Sequence, residues 1–265
     1  MSDEIQPVGM VDRLDSRGSG PDEEIIAFVR AYLAPAAIDE ALFARVMSPE
    51  AAAAREAAAR VQRERDWPNL SRYRETNAAR SGHPPKAVFI GDSITEAWAA
   101  GDPGLFADGV VGRGIAGQTS PQVLLRFMAD VVSPRPAVVH LLVGINDIAG
   151  NTGPTTLTDY QQNMTAMFVL ARAHGLRTII GSLLPAGGFR WRPGIDPRPR
   201  IAEINCWLAA QAAGRDLVFA DYHAALAEPD GTLRAEFTRD GVHPTAAGYA
   251  AMRATALAAL ASAME

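Results

Sequence analysis

"FIGDSITEAW" occupies Phe89–Trp98 of this 265-residue chain. An apolar run ends at Gly91, and a lone serine, Ser93, follows with Asp92 before it and Glu96 after it. Glycine permits a sharp turn without a side-chain clash. A serine just ahead of a helix stands in the positive field of the helix N-terminus. Two readings fit the stretch: a hydroxyl that caps a helix, or a hydroxyl held out for a reaction. The surrounding sequence decides between them.

Outward from Ser93, the texture from residue 86 onward alternates between short apolar runs and helical stretches. "AVFIGDS", "GVVGRGI", "AVVHLLVG", "RTIIGSLLP" and "DLVFADY" are β-branched or apolar and stop at glycine, proline or polar residues. Such near-continuous apolar runs suit strands covered on both faces. "SPQVLLRFMADVV", "TLTDYQQNMTAMFVLARAHG" and "IAEINCWLAAQAAG" lie between them with helical periodicity. Strand, helix, strand, repeated, predicts an α/β fold with a parallel sheet and right-handed crossovers. Functional residues in open sheets of this kind gather beyond the carboxyl ends of the strands.

Those ends carry chemistry. The first is Gly91-Asp92-Ser93. The second is "GRGIAGQT" (Gly112–Thr119), whose glycines let backbone N–H groups approach a ligand. The third places Asn146 and Asp147 in "GINDIAGNTG", and "RDGVHP" sets Asp240 three residues before His243 beyond the fifth. Gly241 allows a tight bend and Pro244 disfavours helix at His243, so the carboxylate can fold back to the imidazole. A serine hydroxyl is a poor nucleophile until a base takes its proton. His243 fits that role, with Asp240 fixing its tautomer. The Ser93 N–H, the Gly114 N–H and the Asn146 side-chain amide are the candidate oxyanion donors. Taken singly, each feature also reads as an ordinary turn, cap or loop-to-helix junction. Their order and shared place at strand ends favour acyl transfer.

On these motifs, "GDSIT", "GRGIAG", "GIND" and "DGVHP", the chain resembles the SGNH or GDSL hydrolase family over roughly residues 86–262. Its four name-giving residues appear here as Ser93, Gly114, Asn146 and His243. The resemblance implies a three-layer α/β/α sandwich with a five-stranded parallel sheet, a flavodoxin-like order. It also implies ester hydrolysis through an acyl-serine, with no metal or organic cofactor. The sequence departs from many relatives at Gly112, where they carry asparagine before the arginine, and the chain has no G-x-S-x-G.

The remaining candidates are weaker. Asp92, Arg113 and Trp191 are the substrate-binding candidates, with Gln118 beside them in the glycine loop. Asp92 is also expected to bond the backbone beneath Ser93 and Asp147 to hold its own loop, neither moving a proton. The proline-rich "PAGGFRWRPGIDPRPR" brings Phe189, Trp191 and several arginines to the same rim. An aromatic and charged rim suits short-chain esters, with acetyl esters of carbohydrates the leading class. The alternative is a non-catalytic sugar- or anion-binding module on the same fold. Cys206 and His140 are expected in the core, and His223 and Tyr222 are weaker candidates for substrate contact.

Residues 1–20 are expected to be a mobile tail, 21–80 a helical extension and 81–265 the hydrolase domain. "PDEEIIAFVRAYLA", "IDEALFARVM" and the Ser48-capped "SPEAAAAREAAARVQRERDW" read as helices. They are candidates for a homo-oligomer interface or for a partial cover over the site. A net charge of -5 gives no basic footprint, which argues against nucleic acid. With no signal sequence and no apolar run of membrane-spanning length, the expected location is cytoplasmic and off the membrane. A single cysteine excludes an intramolecular disulfide and a multi-cysteine metal site.

Overall fold

The computed structural model describes residues 20–80 and 82–265, so the tail expected over residues 1–20 lies, but for Gly20, outside the described residues. The N-terminal part forms α1 (Glu23–Leu33), α2 (Glu40–Val46), α3 (Pro49–Arg65) and α4 (Arg74–Ala79). Then come β1 (Ala87–Gly91), α5 (Ser93–Gly101), β2 (Val110–Gly114) and α6 (Ser120–Phe127), the last continued by a π turn at Met128–Val132. They are followed by β3 (Val138–Leu142), α7 (Ile145–Ala149), α8 (Leu157–Ala173), β4 (Arg177–Gly181), α9 (Arg198–Arg215), β5 (Val218–Ala220), α10 (Tyr222–Leu226) and α11 (Ala246–Met264). Local chemistry sets the helix starts. The Ser48 hydroxyl accepts from Ala51 N at 3.1 Å, and the Asp22 carboxylate accepts from Ile25 N at 2.8 Å.

The five apolar runs pair in parallel in the order β2-β1-β3-β4-β5. Every residue of β1 and β3 is buried, as strands covered on both faces must be. Alternation sends Phe89 and His140, register partners, to one face. There the two rings stack at 4.2 Å, and Trp98 of α5, Tyr222 of α10 and Tyr249 of α11 close round them. The opposite layer is built by α6 packed on α8, with α8 against β4. The sheet order reverses direction between β1 and β3, so the crevice beyond their carboxyl ends is the switch point where ligands bind in open α/β sheets.

His140 is a core histidine, as expected. Its Nε2 meets the Tyr222 hydroxyl at 2.8 Å, and burial pushes its pKa down to about 3. Cys206 is not in the core. Helix α9 buries Ile201, Ile204, Leu208 and Ala212, one stripe at helical spacing. Cys206 lies two residues from Ile204, about 200° round the helix, and is exposed. Among the described residues no helix is long and apolar enough to cross a membrane.

Beneath the strand ends lies a fully buried arginine. Arg126 donates to the Gly91 carbonyl at 2.8 Å, to Gln118 Oε1 at 2.6 Å and to Asp130 Oδ2 at 3.0 Å. Removing one partner of a buried ion pair strands the other charge, at about 3–5 kcal/mol. Arg126→Met should therefore lose stability of that order in urea unfolding, and adding Asp130→Leu should restore more than half of it. A double variant no more stable than the single one would show that the lost bonds to Gly91 and Gln118, rather than the stranded carboxylate, set the effect.

Candidate active site

Ser93 is the first residue of α5, and Asp92 is its N-cap, accepting from Ile94 N at 3.0 Å. The sequence left cap and reactive hydroxyl as alternatives; the structure divides them between neighbours. Asp92 caps the helix, which frees the Ser93 hydroxyl. That hydroxyl lies 3.0 Å from His243 Nε2. On the far side of the ring, His243 Nδ1 lies 2.7 Å from Asp240 Oδ2. The Asp240-Gly241-Val242-His243 turn forms this pair locally. Asp240 Oδ1 accepts from the N–H of Val242 at 2.9 Å and of His243 at 2.8 Å, and Gly241 takes φ +83° to close the bend.

Burial opposes charge on Asp240, but its hydrogen bonds from His243, reinforced by the backbone, win and hold its carboxyl well below the usual range. For His243, burial pulls the pKa down, while the Asp240 hydrogen bond and charge, aided by Asp92, raise it by more. The net shift is upward.

The N-terminal helices reach this pair. The Tyr32 hydroxyl, on α1, donates to the His243 carbonyl at 2.7 Å, lies 3.1 Å from Asp240 Oδ1, and accepts from Arg239 N at 3.0 Å. Arg239 in turn donates to the carbonyls of Tyr32, Ala34 and Ala36 at the C-terminal end of α1. No local pattern marks Tyr32, because its partners lie some two hundred residues away.

Asn146 is the second residue of α7, in its first turn. Its Oδ1 accepts from Asn151 Nδ2 at 2.7 Å and its Nδ2 donates to Gln118 O at 3.0 Å, leaving one amide hydrogen to offer. Asp147 holds its own backbone, as expected, and also ties it to the start of α6, accepting from the Ser120 N–H and hydroxyl. Gly114 ends β2 against α5, where a Cβ would stand 2.0 Å from Glu96 N.

Two expected substrate contacts are corrected. Asp92 is 1% exposed and sits below the serine, its carboxyl occupied as the cap. Arg113 is 3% exposed: its guanidinium donates to Asn77 Oδ1 and its own neighbour Gly112 O, and lies over the Tyr73 ring. Gln118 is likewise taken, bridging Pro68 O and Arg126. All three face residues of the N-terminal segment or the core, which sequence spacing does not reveal. Trp191 does stand at the rim, its ring 6.2 Å from that of His243 and its indole N–H on Asn151 Oδ1 at 3.0 Å. Tyr222 and His223 do not line the cavity beside it: Tyr222 is in the core, and the His223 backbone N–H donates to the Ser182 hydroxyl. Ser93, His243 and Trp191 open into a cavity of about 670 Å³.

The profile of the GDSL-like lipase/acylhydrolase family matches residues 89–251. A candidate acylhydrolase of Bacteroides fragilis NCTC 9343 superposes with a TM-score of 0.72 at 38% identity, over 76% of this chain and 99% of its own. Esterase TesA of Pseudomonas aeruginosa is 29% identical over 174 residues, 60% of this chain and 80% of that protein. A Bacillus subtilis lipoprotein, YqeF, is 29% identical over 79 residues, 29% of this chain and 32% of its own length.

Burial raises the Asp92 carboxyl to about 7, against the cap bond and the His243 charge, which favour ionisation. An unfolded aspartate titrates near 3.9. Between the two values the folded state keeps a proton the unfolded state has released, so stability falls as pH rises through about 4 to 7. Asp92→Asn retains an acceptor for Ile94 N and cannot ionise. The melting temperature of the variant relative to wild type should therefore be higher at pH 8 than at pH 5; an unchanged difference would mean that Asp92 titrates normally.

Proposed function

The chain belongs to the GDSL-like lipase/acylhydrolase family, and from that premise we propose that it hydrolyses carboxylic esters through an acyl intermediate on Ser93. One observation carries the reading: the continuous relay from the Ser93 hydroxyl to His243 Nε2 at 3.0 Å and from His243 Nδ1 to Asp240 at 2.7 Å. A module that merely binds a ligand has no use for a base aligned on a serine.

In this mechanism Asp240 holds the proton on Nδ1, leaving the Nε2 lone pair toward the serine. As Ser93 Oγ attacks the ester carbonyl carbon, its proton passes to Nε2, and Asp240 stabilises the imidazolium. Charge develops on the carbonyl oxygen, where the N–H groups of Ser93 and Gly114 and the free amide hydrogen of Asn146 receive it. The Ser93 N–H belongs to the first turn of α5, where intrahelical acceptors are missing and the helix dipole favours an anion. Collapse expels the alkoxide, which takes the Nε2 proton and leaves as alcohol. Water then repeats the attack with His243 as base, releasing the acid and restoring the serine.

Expected kinetics follow from these roles. Ser93→Ala should lower kcat roughly 10⁴-fold or more, and should abolish labelling by a fluorophosphonate. Asn146→Ala should lose on the order of 10²- to 10³-fold, the worth of one oxyanion donor. The base acts only when His243 is neutral, and its pKa is raised. The acid limb of kcat/KM should thus lie above the ordinary imidazole value of about 6.5. Asp240→Asn removes the interaction that raises it, moving the limb to lower pH while kcat falls about 10⁴-fold. A loss below tenfold in Ser93→Ala would discard the nucleophile, and an acid limb that stays put in Asp240→Asn would discard the relay.

A further inference from the structure

The cavity beyond Ser93 is divided in character. Its polar side is the rim, with Trp191, the exposed Arg190, and the Arg72–Glu96 ion pair at 3.1 Å. Its other walls come from α1 and the segment that carries α2, and they are hydrocarbon: Ile26, Phe28, Phe43 and Met47 all face it. Ile26, Phe43 and Met47 are 38%, 43% and 50% exposed, large apolar side chains gathered at one opening rather than scattered. The floor is α5 itself, where Ala97 and Ala100 follow Ser93 at helical spacing, and where small side chains keep a channel clear.

Resting on the acyl-serine reading above, we propose that α1 and α2 build the acyl-chain site, and that the acyl group is a straight medium chain of about eight carbons. The half of the ester that stays bonded to Ser93 between the two steps is the half that gains from an apolar wall. The alcohol has to leave and give way to water, so it takes the polar side at Trp191 and Arg190. The length follows from the floor. Ser93 to Ala100 spans seven residues, about 10 Å at 1.5 Å per residue. An extended carbon chain advances about 1.25 Å per bond, given bonds near 1.5 Å and angles near 111°, so roughly eight carbons cover the floor. A cavity of about 670 Å³ holds that chain with room for the reacting centre. The rim alone suggested acetylated carbohydrates; the apolar walls come from residues outside the stretch matched by the family profile, which begins at residue 89.

The experiment is a series of p-nitrophenyl esters, acetate to dodecanoate, on the full chain and on Ala100→Phe, with octanoate binding to Ser93→Ala measured by calorimetry. Wild-type kcat/KM should climb by about two- to fourfold per methylene, the worth of burying one, reach a maximum near octanoate, and stop rising beyond it. Ala100→Phe blocks the floor and touches none of the reacting groups. It should leave acetate within about twofold and drop octanoate at least tenfold. Octanoate should bind the Ser93→Ala protein, acetate should not, and Ala100→Phe should abolish the octanoate signal in the same background. An active, fluorophosphonate-labelled enzyme whose kcat/KM is flat or falls from acetate to octanoate overturns the acyl site and leaves the esterase reading standing. So does a rise that follows the length of the alcohol instead. Octanoate that fails to bind while gel filtration shows a dimer assigns the apolar walls to a second copy and equally overturns it. Absence of both turnover and labelling removes the acyl-serine, and the acyl site with it.

Discussion

A β carbon at Gly114 would stand 2.0 Å from the amide nitrogen of Glu96, and one at Gly91 would stand 2.1 Å from the Leu142 carbonyl oxygen. Real side chains never come so close, so the ends of β1, β2 and β3 and the first turn of α5 approach one another over bare backbone. That approach sets the rest. It seats the end of β2 directly on the first turn of α5, the turn that Ser93 opens, and neither can shift without opening the sheet. Arg126 locks the arrangement from beneath by donating to the Gly91 carbonyl. A loop-built site would have to order its backbone on binding; here most of that ordering is part of folding.

The N-terminal helices are part of the same structure and not an appendage. Tyr73 donates to the Gly114 carbonyl, and Asn77 holds Arg113 and Asp130. Tyr32 holds the His243 carbonyl, while Arg239 caps the end of α1. Thus one segment braces the glycine end of the site and another the histidine end. Each bond is worth of the order of 1 kcal/mol in itself. Those of Tyr32 and Arg239 fix α1 against the cavity, and α2 packs on α1, so both helices line it.

Charge is handled differently in the two layers of the site. At the surface, Asp240 stays ionised because three N–H groups point at its oxygens, and it lifts His243. Below the serine, Asp92 and Asp147 are buried with fewer donors, and burial raises both, to about 7 and about 6. His140, buried in the aromatic cluster under α5, moves the other way, to about 3. The raised carboxyls lose stability as pH rises and the depressed imidazole gains it, so the terms oppose each other across the mildly acidic range.

What the sequence determined is local or periodic. Five apolar runs with helices between them fixed a parallel sheet, because doubly covered strands leave no polar alternation. The Ser93, Gly114, Asn146 and Asp240-to-His243 positions were legible because strand ends converge by topology and the acid–histidine turn closes within four residues. The tertiary structure decided whatever depends on a partner distant in the chain. Asp92 and Arg113 look like substrate contacts in sequence, but burial gives them to the helix cap and to Asn77 and Tyr73. Cys206 looks like core until the buried stripe of α9 shows which side faces in. Tyr32, Arg126 and the apolar wall carry no signature, since a tyrosine, an arginine or an isoleucine on an amphipathic helix reads the same whatever it meets. Their roles come from packing, and a linear pattern records which face is apolar but not what lies opposite.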